Sequence, residues 1–118
     1  MAEIDEQIAV VTWCDIQGIP IWHNVNEGQR SFAAARQLIA AGLRRGVPDL
    51  FIPQARNGYH GMFIEMKSEK GTLTPDQRQW LRDLRQWGYH AGVAYSFDEA
   101  KRAIEKYMKE TDENENNK

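Results

Sequence analysis

Three charged residues stand where their neighbours predict buried β-strands. Asp49 opens the apolar run Leu50-Phe51-Ile52, and Glu65 and Lys67 interrupt and close the run Met62-Phe63-Ile64-Glu65-Met66-Lys67. Residues two apart on a strand share a face, so Glu65 and Lys67 point together. Burying such groups unpaired is costly, so they must satisfy one another, a metal ion or a phosphate. Hydrolysis of a phosphodiester needs oxygen ligands for Mg²⁺ or Mn²⁺, a group that positions water, and positive charge for the crowded phosphorus. Asp49 and Glu65 would hold the ion, with the backbone carbonyl of Met66 as a further oxygen. Lys67 would orient the water and offset developing charge. A third carboxylate is expected, and the residues alone leave two candidates, Glu6 and Glu27. Charges at a sheet end also form plain structural ion pairs, which is the alternative reading of this cluster.

The elements that must place these groups are legible in the pattern. Ile4, Ile8 and Val11 fit a first helix from Ile4 to about Ile16, ending near Gly18. Ile19 to Val25 reads as a short strand. Asn24-Val25-Asn26-Glu27-Gly28 reads as a loop, and Ser31 caps an Ala-rich helix running to about Ala41, closed by Gly42. Asp49 to Pro53 and Tyr59 to Lys67 form adjacent antiparallel strands about the Asn57-Gly58 hairpin signal. Thr74-Pro75-Asp76-Gln77 is a capping box with Pro at the first helical position, and Trp80, Leu81, Leu84 and Trp87 form the expected buried stripe of that helix before Gly88. Tyr89 to Tyr95 is a last strand, and Ser96-Phe97-Asp98-Glu99 starts a helix with Phe97, Ala100, Ile104 and Tyr107 inward. The order α-β-α-β-β-α-β-α predicts an α/β domain, a mixed β-sheet flanked by α-helices.

Composition narrows the classes. A chain of 118 residues with 42% hydrophobic side chains suits one domain, expected over 1–109, with a disordered acidic tail at 110–118. The longest apolar stretch, from Phe32 to Leu43, is broken by Arg36 and Gln37 and is shorter than the ~20 residues of a membrane span. The acidic start Met-Ala-Glu-Ile-Asp-Glu has no secretory signature. With Cys14 as the only cysteine, a reducing, cytoplasmic setting is expected. The net charge is −2, but of 17 acidic and 15 basic residues, four and two lie in the tail, which leaves 13 of each in the body. That balance does not exclude DNA, because bound cations offset carboxylates.

Val47-Pro48-Asp49, Glu65-Met66-Lys67 and Leu73-Thr74-Pro75-Asp76-Gln77 together resemble the VRR-NUC family, a branch of the PD-(D/E)XK nucleases with a restriction-endonuclease-like core. The resemblance spans about Asp5 to Tyr107. It implies a metal-dependent DNA endonuclease, similar to the small stand-alone members of phages and bacteria that act as homodimers on branched DNA such as four-way junctions or flaps. In that family an Asn/Gly-Glu-Gly loop supplies the first acidic residue, which ranks Glu27, in Asn26-Glu27-Gly28, above Glu6. The resemblance places the chain in the cytoplasm of a bacterial or phage-infected cell. Some related exonucleases carry Tyr four residues after the helix Gln, whereas here Gln77 is followed by Leu81, which weakens an exonuclease reading.

Gln77 lies in the first helical turn after the catalytic strand, where it would brace Lys67 or touch a phosphate, or simply close the helix. Arg44 and Arg45 end a helix, where cations are favoured in any protein, and also precede Asp49 closely enough to contact phosphate. Lys70, in the Ser68-Glu69-Lys70-Gly71 turn, has the same standing. Arg78, Arg82 and Arg85 read as a solvated face. His23, His60 and His90 are too scattered for a zinc site. The runner-up function is a DNA-binding scaffold for recombination or repair. A sequence-specific restriction enzyme lacks a recognition domain here.

Overall fold

A computed structural model describes residues 2–25 and 31–116, with side chains to residue 109. Helix α1 spans Glu3–Gln17 and stops at Gly18, whose φ of 75° places it in the left-handed region that glycine adopts without penalty. Strand β1 is only Trp22–His23, shorter than the expected Ile19–Val25. The ladder partner is brief, because β2 itself covers only Leu50–Ile52. Between them lies helix α2, Phe32–Ala40, capped by the Ser31 hydroxyl accepting the Ala34 N–H at 3.1 Å.

The hairpin forms as its turn residues dictate. Asn57 and Gly58 take φ of 49° and 84°, and Arg56 and Tyr59 exchange backbone hydrogen bonds of 3.2 and 2.8 Å across them. Two successive positive φ values match the twist of the flanking strands. Strand β3, Met62–Met66, returns antiparallel to β2 with Leu50 opposite Ile64 and Phe51 opposite Phe63. Helix α3, Pro75–Gln86, then crosses over to β4, His90–Ala94, which pairs parallel to β3. The mixed sheet has the order β1-β2-β3-β4.

Alternation on β2 and β3 separates two cores. Leu50, Ile52, Met62, Ile64 and Met66 face helices α1 and α4, where Val10, Cys14, Ala100, Ile104 and Tyr107 close the main core. Phe51 and Phe63 face the other way, 4.4 Å apart between ring centroids, toward a smaller core of Leu81, Leu84 and Ala91 under α3. Trp80 is half-buried there, but Trp87 is 55% exposed, so it leaves the expected stripe. It sits at the helix C-cap rather than within the helix, where the periodicity no longer applies.

Helix α4 runs Phe97–Asn116. Its backbone thus continues through most of the segment whose composition reads as a disordered acidic tail. Once a helix is nucleated, each added residue costs far less than the first turn.

Candidate active site

The register of β2 on β3 builds the site. Leu50 lies opposite Ile64, so one step further Asp49 lies opposite Glu65, both on the α3 side of the sheet. The Asp49 Oδ2 accepts the Met66 N–H at 2.9 Å, which carries the ladder one bond beyond β2. On a strand the N–H and C=O of one residue point to the same side, so the Met66 carbonyl is directed to the Asp49 side as well. The Met66 side chain is fully buried in the main core and contributes nothing polar.

Glu65 is 3% exposed and is the single buried charged side chain among the described residues. Burial is the first cause that pushes its pKa up, to about 9; the hydrogen bond and charge of Asp49 add to it, and Lys67 acts in the opposite direction. Burial therefore favours the protonated form of the Glu65 carboxyl in the metal-free protein, and the hydrogen bond with Asp49 adds to that preference. Two facing carboxyl groups cannot both ionise without a cation to compensate them.

Lys67 follows β3, with its N–H donating to the Ala94 carbonyl at 2.9 Å. It lines a cavity of about 340 Å³ at the sheet end with Glu3, Glu6, Ser68 and Glu99 among its walls. Gln77 closes the helix, one of its expected roles, and its amide reaches Glu65 rather than Lys67. Its Oε1 accepts the Thr74 N–H at 2.9 Å in the capping box, and its Nε2 reaches Glu65 Oε2 at 3.5 Å.

The remaining sequence candidates divide. Glu6 lines the Lys67 cavity, and one of its carboxylate oxygens accepts the Phe97 N–H at 2.8 Å, at the N-terminus of α4 where an acid is favoured. Glu27 lies outside the described residues. Arg44 donates to the Ile39 and Leu43 carbonyls at 3.2 and 3.0 Å and so caps α2. Arg44 and Arg45 also line a cavity of about 250 Å³ with Gly46, Asp76 and Gln77, beside the carboxylates. Lys70 is exposed in the turn closed by the Gly71 N–H to the Ser68 carbonyl at 2.8 Å.

Four residues that sequence reasoning passed over hold the site in place. Asn24 donates from Nδ2 to the Pro48 carbonyl at 2.9 Å, and its N–H donates to the Asp49 carbonyl at 2.7 Å. Trp80 Nε1 donates to the Arg45 carbonyl at 2.9 Å. At Gly46, φ is 88° and a Cβ would meet the Asp76 backbone carbon at 2.7 Å, so only glycine lets this loop touch the start of α3. Glu3 accepts the Ser68 N–H at 3.1 Å, and its charge adds to the upward pressure on Glu65. The one advance signal was the Asn-rich and Gly-rich punctuation around residues 24 and 46.

The donor set is all oxygen, which suits a hard divalent cation. Among the described residues no group of three or more His, Cys, Asp or Glu side chains converges on one point. Two carboxylates and a carbonyl nevertheless fit an ion such as Mg²⁺, which binds through one or two carboxylates and keeps several waters. No helix among the described residues is long and apolar enough to cross a membrane.

A mixed sheet flanked by helices, with facing carboxylates and a lysine at the end of its central strands, defines a nuclease-type, DNA-acting fold. The chain belongs to the VRR-NUC domain family, which matches residues 2–98 and whose members are generally nucleases. A solved VRR-NUC domain protein is similar over 93% of this chain and 90% of its own, at 30% identity and a TM-score of 0.81. A second solved VRR-NUC domain, 24% identical over 89% of this chain and 96% of its own, shares the fold at a TM-score of 0.62. No protein of curated function matches.

Proposed function

We propose that this chain is a metal-dependent DNA endonuclease that hydrolyses phosphodiester bonds in branched or otherwise structured DNA, a four-way junction or a flap. The observation that carries the reading is the placement of Asp49 opposite the buried Glu65, two residues from Lys67. Two facing carboxyl groups, one of them buried, repel when both ionise, and a divalent cation between them would compensate both.

Asp49, Glu65 and the Met66 carbonyl would hold Mg²⁺ or Mn²⁺, with Glu27 as a further acid. When bound, the ion would lower the pKa of water and polarise the phosphate. The Lys67 ammonium orients the attacking water and balances charge growing on the phosphate oxygens. Gln77 Nε2 holds the Glu65 carboxyl in line, while the capping box fixes Gln77 itself. Arg44, Arg45 and Lys70 would contact flanking phosphates. A homodimer would present two sites related by a two-fold axis, as paired cuts across a junction require. The single buried Cys14 suits a reducing, cytoplasmic compartment of a bacterial or phage-infected cell.

The test is cleavage of labelled four-way junction, flap and linear duplex DNA of matched sequence, in Mg²⁺, Mn²⁺ or EDTA, for wild type and Lys67→Ala. Metal-dependent cutting of a branched substrate, absent in the variant, is the expected result. Tight DNA binding with no cutting of any substrate would replace the enzyme with a scaffold for recombination or repair.

A further inference from the structure

Helix α3 divides its charges between two flanks. Asp76 lies toward Arg44, Arg45 and Trp80, with which it lines a second cavity of about 430 Å³. Asp83 is on that side too, one helical turn beyond Gln79, which donates to it at 2.8 Å. The other flank carries Arg78, Arg82 and Arg85. It overhangs the outer strand of the sheet, since Arg85 Nε donates to the Ala91 carbonyl of β4 at 2.8 Å.

These arginines have unequal freedom. Arg85 is committed to the sheet edge. Arg78 and Arg82 are exposed, and Arg82 is steadied by Gln79 Oε1 at 2.8 Å rather than by a carboxylate. They stand four positions apart, about 6 Å along the helix axis, a spacing that matches phosphates a step or two apart on one DNA strand. Arg78 also directly follows Gln77, whose amide touches Glu65. The pair thus runs along α3 from the helical turn that reaches Glu65.

Arg44 and Arg45 face the opposite way. Arg44 is spent on the end of α2, and both share their cavities with Asp76. On the far side of the sheet, α1 exposes Asp5 and Asp15, and α4 mixes Asp98 with the exposed Arg102, Lys106 and Lys109. Among the described residues, Arg78 and Arg82 thus form an exposed basic pair on the outer flank of α3, with Arg82 held by an amide oxygen rather than a carboxylate.

We propose that Arg78 and Arg82 form a track for the sugar-phosphate backbone of a duplex DNA arm leaving the site, and that this flank sets the direction of that arm. The inference rests on the DNA-acting reading of the fold, and it assigns a binding role to a face that the sequence reads as solvated. Guanidinium groups in a row on one helix contact phosphates whatever the base sequence, so the track serves structure-selective binding.

The test is equilibrium binding of a fluorescein-labelled duplex and a four-way junction in EDTA, measured by anisotropy over a range of salt. Arg78→Ala/Arg82→Ala is compared with wild type and with Arg102→Ala/Lys106→Ala on α4. Each phosphate contact contributes about 0.9 to the slope of log affinity against log salt, so losing two makes the slope shallower by about 2. The α4 variant keeps the wild-type slope, and Arg78→Lys/Arg82→Lys restores it, which a folding defect would not allow. Equal slopes for the two alanine pairs would overturn the track. Cleavage read in parallel separates the cases: equal slopes with metal-dependent cutting remove the track alone, whereas a wild type that neither binds nor cuts DNA removes the nuclease reading with it.

Discussion

Glu65 owes its behaviour to position rather than to chemistry of its own. An ordinary glutamate titrates near 4.5, and burial against Asp49 raises this one to about 9. The unfolded chain loses that proton at the lower pH and the folded, metal-free protein only at the higher. Between the two the folded state binds more protons, so its stability is greatest at acid pH and declines as pH rises through the window. Glu65→Gln keeps the shape and removes the titration. We expect the melting temperature of the metal-free wild type, taken relative to that variant, to fall steadily from about pH 5 to about pH 9. A difference that stays constant over this range would mean Glu65 is ionised in the fold. Cys14 sits at the other extreme, a thiol pushed up to about 11 first by burial and then by Asp15, inert inside the main core.

At the scale of elements, the site depends on one loop meeting one helix. The segment before β2 rests on α3 through Gly46 and through the Trp80 indole, while Asn24 ties it to β1. Gly46→Ala adds a Cβ in the left-handed region and against the Asp76 backbone, so it is strained twice over. A destabilisation of about 1–3 kcal/mol is expected, with loss of cleavage because Asp49 is displaced. Gly18→Ala provides the contrast: its φ is 75° but nothing lies within 4 Å of the added atom. That change costs about 1 kcal/mol and leaves cleavage as in wild type. Urea unfolding together with junction cleavage of both variants checks the pair, and equal loss of activity in the two would detach the loop from the site.

Across the whole molecule, the sheet is held by unequal cores. The main core, with Ile104 fully buried, fixes α1 and α4, whereas Leu81, Leu84 and Ala91 alone are buried under α3. Ile104→Ala and Leu84→Ala should each cost about 2–5 kcal/mol. Their functional consequences differ, because α3 carries Gln77 and the basic flank. At a temperature where both variants remain folded, Leu84→Ala is expected to lower cleavage and Ile104→Ala to leave it near the wild-type rate. The reverse order would show that α1, which carries Glu3, positions the site more than α3 does.

The chain order of the elements, the Ser31 cap, the Asn57-Gly58 turn and the Thr74–Gln77 capping box all follow from the sequence by itself. Each depends on hydrogen bonds between residues two to four apart, which chain geometry fixes without help from packing. The motifs also marked Asp49, Glu65 and Lys67. That Asp49 stands opposite Glu65 is a matter of register, and register comes from which faces of β2 and β3 the two cores bury. Glu6, ranked below Glu27 from the sequence, takes its hydrogen bond from the N-terminus of α4, 91 residues further along the chain. Arg44 and Arg45 read from the sequence as helix-capping or phosphate-contacting cations, and packing sets Asp76 in their cavities, while Arg78 and Arg82 stand exposed on the other flank of α3. Charge balance at a point in space is a sum over elements distant in sequence, so only the tertiary structure decides it.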